Sequence, residues 1–91
     1  MMPLFAVICR DKPGQLQTRL DSRQAHLGFI RDSGIVRMAG PLIENGDMCG
    51  SLIVLEARDL DAARDWAARD PYKKAGLFHS VDVTEWNKVI G

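Results

Sequence analysis

Leu4-Phe5-Ala6-Val7-Ile8-Cys9, stopped by Arg10-Asp11-Lys12-Pro13-Gly14, is the stretch on which the fold turns. It is a short apolar run of strand formers closed by turn residues. Its pattern recurs, for Leu4 stands to Arg10-Asp11 as Leu52 stands to Arg58-Asp59, and each run feeds a segment of helical period. After the first run, Leu16, Leu20, Leu27 and Ile30 fall in one stripe at about 100° per residue between Gln15 and Ser33, and Gly34 follows where a helix stops. After the second, Asp59 suits a helix N-cap and Asp61 the first turn. Leu60, Ala63 and Ala67 make an inner stripe that Trp66 widens, and Pro71 forbids continuation.

Two further extended stretches complete the pattern. Ile35 to Leu42 carries Gly40-Pro41 near its end, which suits an edge strand, and Asn45-Gly46 marks a tight hairpin into Ser51 to Ala57. That strand, centred on Leu52-Ile53-Val54-Leu55, is apolar on both alternating faces, as in the middle of a covered sheet. Phe78 to Trp86 alternates Val81 and Val83 with Ser80, Asp82 and Thr84 and reads as a half-exposed strand, with His79 on the Val81 face. The order is therefore βαββαβ: an α+β, ferredoxin-like antiparallel sheet with the first and third strands at its centre, formed by residues 1–91 as one domain. Both helices fall on one face. The other keeps apolar side chains, and a second copy packed sheet to sheet, giving a homodimer, covers it most economically.

Composition narrows the function. Twelve basic and twelve acidic side chains leave no net charge, and without a basic run the chain lacks the electrostatic footprint of a nucleic-acid or anionic-membrane surface. With 46% hydrophobic residues yet no apolar run of about 20, neither a membrane span nor a basic leader is expected, and the cytoplasm is the expected compartment. Cys9 and Cys49 show no CxxC spacing and read as reduced thiols. Neither His26 nor His79 has a ligand-spaced partner, so no metal and no organic cofactor are expected.

One constellation carries chemistry. On the first helix, Arg19, Arg23, His26 and Ile30 follow i, i+4, i+7 and i+11, placing three polar groups along one edge of the apolar stripe. On the second, Asp70 sits at the C-terminal end, where the helix dipole disfavours a carboxylate, and precedes Pro71. His26 and Asp70 each lie about 16 Å from their helix starts, so on helices running side by side they reach one level. An imidazole with one nitrogen held by a carboxylate can move a proton with the other, which is the requirement of general acid–base catalysis; Asp-Pro as a turn opener is the plainer alternative. Arg19 and Arg23 suit either an anionic substrate or ordinary pairing with Asp70, Asp32 or Glu44. Ser51 is a potential donor to a ligand, although strand-end polarity explains it as well. Tyr72, Trp66 and Trp86 are bulky enough to wall a pocket or to serve as core and interface.

Arg23-Gln24-Ala25-His26-Leu27, Ala39-Gly40-Pro41-Leu42, Gly50-Ser51, Ala63 to Trp66-Ala67, Asp70-Pro71-Tyr72 and Ala75-Gly76-Leu77-Phe78 resemble, in order and spacing over nearly the whole chain, the YciI-like (YCII-related) proteins. The resemblance implies a dimeric α+β barrel, with His26 and Asp70 as the catalytic pair and Arg23, Ser51 and Tyr72 beside the pocket. It also implies lyase-like or dehydrohalogenase-like eliminations on substituted aromatic compounds, in a superfamily that includes isomerases, monooxygenases and simple binding proteins. A purely structural partner would need no pocket, and two further readings follow: a cofactor-independent enzyme in which His26, oriented by Asp70, moves a proton on a small polar or aromatic metabolite held by Arg23 and Ser51, and a noncatalytic binding or accessory dimer whose cleft recognises a metabolite or another protein. Turnover separates them.

Overall fold

Residues 2–91 are described by the computed structural model and run β1 (Leu4–Asp11), α1 (Leu16–Ser33), β2 (Val36–Glu44), β3 (Asp47–Glu56), α2 (Leu60–Ala68), α3 (Pro71–Lys74) and β4 (Phe78–Trp86). The strands form one antiparallel sheet in the order β2-β3-β1-β4. The two most continuously apolar strands are thus central, and Pro41, which lacks a ladder donor, lies in edge strand β2. Asn45 and Gly46, both at positive φ (50° and 82°), make the two-residue turn between β2 and β3. Those strands run further into the turn than the apolar pattern indicates, because the hairpin pairs Glu44 with Asp47 despite their polarity.

Alternation along the central strands sorts the side chains into two faces. Phe5, Val7, Cys9, Ile53 and Leu55 point to the helices and pack with Ala63, Trp66, Tyr72 and Leu77 in the core. Ala6, Ile8, Leu52 and Val54 share the opposite face through the register Ala6↔Val54 and Ile8↔Leu52. On that face Ile8 is 39% and Leu52 38% exposed, and Met38 of β2 lies beside Val54. The accessible surface is 5864 Å², about a tenth above the roughly 5,300 Å² usual for a monomer of this mass. The stretch after β4, where Val89 is 83% and Ile90 90% exposed, contributes to that excess. Gly50 brings β3 and β1 close together: a Cβ there would collide with the Cys9 carbonyl oxygen.

Three local expectations are corrected. The Leu16, Leu20, Leu27 stripe of α1 does not face the core: all three are at least 38% exposed, and the residues this helix buries are Arg19 and His26. The helices and sheet meet around a polar site there, so the leucines are turned to its flank. Helix α2 ends at Ala68, two residues before Asp70, and α3 follows as a separate turn. Finally, the register shifts between Arg10 and Asp11 where β1 meets β4, which buries Phe78 and leaves His79 exposed rather than on the Val81 side.

Candidate active site

Helix α1 carries one half of the site. It is held at its end by Gly34 in the left-handed region (φ 69°), whose N–H donates to the Arg31 carbonyl. Arg19 and His26 stand two turns apart on its inner face, about 10.5 Å along the axis, and both are buried. Segment α3 carries the other half. Asp70 is its N-cap and Pro71 its first residue, the arrangement in which a missing N–H costs nothing and the fixed φ is already helical. The Asp70 Oδ1 accepts from the Tyr72 N–H at 2.9 Å. A carboxylate that looked misplaced at the end of one helix is in fact well placed at the start of another.

The same Oδ1 lies 2.8 Å from His26 Nδ1, with both side chains removed from solvent. Donation from Nδ1–H to the carboxylate fixes the tautomer with the lone pair on Nε2. Trp66 Nε1 is, among the described residues, the buried side-chain nitrogen left without a partner. His26 Nε2 is not in that condition and has no bond among the described residues, so it is open to solvent, and the cleft lined by His26 is where it opens.

Tyr72 fills the gap between Arg19 and His26. Its ring stacks on the imidazole with centroids 3.9 Å apart at 16°, and the Arg19 guanidinium carbon sits 4.6 Å from the ring centre. Arg19 is locked by Asp11, whose two oxygens accept from Nε at 2.7 Å and Nη2 at 2.8 Å, and Nη2 also donates to Ser51 Oγ at 3.0 Å. Burial works against the Arg19 charge, yet the Asp11 pairing dominates and holds its pKa above the ordinary arginine value. Burial pushes the Tyr72 phenol upward, with Arg19 and Arg23 pulling against it, so it stays protonated at neutral pH. Cys9 lies close enough to feel Asp70 and Arg19. Burial raises its thiol to about 12, which removes it as a nucleophile, and Cys49 is also a free thiol.

These side chains surround a cleft of about 140 Å³ between α1 and edge strand β2. His26, Arg23, Ser51 and Tyr72 line it, and Asp70 sits behind the imidazole. The five residues singled out in the sequence thus lie together. Arg23 is exposed and free of ion pairs among the described residues; Arg19 pairs with Asp11, not with Asp70, Asp32 or Glu44. Trp66 belongs to the core, stacked on Phe29, and Trp86 lies on the sheet's helix-free side. Asp11 and the fixed role of Arg19 escaped the sequence reading. Their signal was the Asp11 to Arg19 spacing across a Pro-Gly turn, which brings a strand end back onto the first turn of a helix.

The family profile of the YCII-related domain matches residues 3–87. Protein YciI of Escherichia coli is 34% identical over 96% of this chain and 99% of that protein. An uncharacterized protein of Haemophilus influenzae is 32% identical over 94% and 98%. Among solved structures, the 5-chloro-2-hydroxyhydroquinone dehydrochlorinase of Burkholderia phenoliruptrix, in complex with 2,5-dihydroxybenzoquinone, superposes with a TM-score of 0.87 at 34% identity, over 92% of this chain and 93% of that one. A cofactor-independent oxygenase of Streptomyces nogalater superposes at 0.64 with 14% identity, over 100% and 97%, a likeness of fold alone.

Proposed function

The chain belongs to the YCII-related domain family, and from that membership we propose that it is an acid–base enzyme acting on a small hydroxylated aromatic or quinone-type compound, with elimination as its reaction class. The observation that carries this reading is the 2.8 Å bond between His26 Nδ1 and Asp70 with Nε2 facing the cleft. A base so arranged takes a proton from a carbon or hydroxyl of the bound compound. The electron pair left behind forms a C=C or C=O bond, and a leaving group departs with its own bonding pair. The imidazolium formed is stabilised by the Asp70 carboxylate and by the Tyr72 ring face against which it lies, and it can hand its proton to the leaving group or to water. Arg23, Ser51 and Tyr72 hold the compound. The dehydrochlorinase likeness supports the substrate class, because its complex contains a hydroxylated quinone and its reaction removes HCl.

Chloride release from 5-chloro-2-hydroxyhydroquinone by the purified protein tests the reaction class. Binding of 2,5-dihydroxybenzoquinone without any turnover of halogenated hydroxyhydroquinones would favour the noncatalytic reading instead.

The working unit is a homodimer joined through the helix-free sheet face. The exposed Ile8, Leu52 and Met38 support it, because a contiguous apolar strip on a small protein is unfavourable in water. Ile8→Lys places a charge in that face while leaving the helix-side core untouched, and light scattering should then report the mass of one chain where the parent protein reports two. A parent protein that is monomeric at micromolar concentration contradicts the dimer.

A further inference from the structure

The Asp11–Arg19 pair does more than close the end of β1 onto α1. Arginine has only donors, so in its 3.0 Å bond with Arg19 Nη2 the Ser51 oxygen must be the acceptor. That uses one lone pair and leaves the Ser51 proton free. Both residues are buried, and no acceptor within the described chain takes that proton. Ser51 lines the cleft, which is the open direction left to it. Asp11 makes the arrangement rigid: with Nε and Nη2 both held by its carboxylate, the guanidinium cannot rotate to release Ser51.

We infer that Arg19, fixed by Asp11, is a positioning residue that holds the Ser51 hydroxyl with its proton free to be donated toward an oxygen of the bound compound. Tyr72 and Arg23, the latter without an ion pair among the described residues, line the same cleft, so the lining offers donors as well as the lone pair of His26 Nε2. Such a cleft is polarised. It accepts a planar compound whose carbonyl or phenolate oxygens lie against Ser51, Tyr72 and Arg23 and whose transferable proton lies against His26. An amine or other cation meets the positive charges of Arg19 and Arg23 along that lining and is disfavoured.

The inference rests on the proposed substrate class, and 2,5-dihydroxybenzoquinone, whose oxygens are acceptors, is the probe that separates the two. In calorimetric titrations the parent protein binds it, and Ser51→Ala weakens binding about 10-fold or more, the loss for a hydrogen bond to a charged acceptor. Arg19→Lys keeps the charge and one contact to Asp11 but loses the fork. It should weaken binding as Ser51→Ala does, and the double variant should be no weaker than either single one. Losses that multiply, or a Ser51→Ala protein that binds like the parent, overturn the inference and leave the substrate class standing. If Arg19→Lys does not fold, the Ser51→Ala result decides alone. A parent protein that does not bind the quinone overturns the substrate class and the inference together.

Discussion

Replacing His26 by Ala, or Asp70 by Asn, is expected to lower turnover about 10²- to 10⁴-fold, the range for a general acid–base group, with the double variant little worse than either single one. The geometry gives each change a distinct meaning. His26→Ala removes the base. Asp70→Asn keeps an oxygen able to cap the Tyr72 N–H, so α3 stays in place, but it removes the charge that favours the imidazolium and lets the amide compete for the wrong tautomer. Its melting temperature should therefore shift by only a few degrees while activity collapses. Steady-state rates with thermal melts on the same samples check this. Parallel loss of stability and activity in Asp70→Asn would make the pair a piece of structure that happens to border a cleft.

The largest stability effect is expected at the other end of the stack. Arg19→Ala leaves the Asp11 carboxylate buried without its partner, strips Ser51 of its donor and uncovers one side of Tyr72. Breaking one side of a buried ion pair costs about 3–5 kcal/mol, a large share of what a domain of this size has. At roughly 4–8 °C per kcal/mol the melting temperature should fall far enough to be plain in a single scan. The pair between Arg37 and Glu56, at 2.7 Å but open to solvent, is the control, and Arg37→Ala should leave the denaturation midpoint where it was. A small effect at Arg19 would mean that water or rearrangement satisfies Asp11, and the rigid wall proposed for the cleft would lose its anchor.

The order of elements was legible in the chain because periods of two and of 3.6 alternate cleanly and because Gly34, Asn45-Gly46 and Asp59 do what their chemistry favours. Asp59 accepts from the Ala62 N–H at 2.8 Å, and Gly34 takes the left-handed turn. What the helix faces do was less legible. A leucine stripe ordinarily marks the buried side, yet α1 turns Leu16, Leu20 and Leu27 outward and buries a cation and an imidazole, because Asp11, Asp70, Ser51 and the Tyr72 ring satisfy those groups. Periodicity cannot show that satisfaction, since the partners come from three other segments, β1, β3 and α3. Asp70 was found for a mistaken reason. It does not end α2; the informative signal is Asp followed by Pro, an N-cap followed by a favoured first residue, which opens a new helix as readily as it ends an old one.

The claim that the cleft beside His26 is where chemistry occurs is tested most directly by solving the structure of this protein with 2,5-dihydroxybenzoquinone bound. The ring is expected between α1 and β2, with one edge within about 3.2 Å of His26 Nε2 and an oxygen within hydrogen-bond distance of Ser51 Oγ. A ring seated elsewhere, such as in the groove formed by Arg64, Lys73 and Asp82, or one bound in the cleft with His26 Nε2 turned from it, would contradict the account.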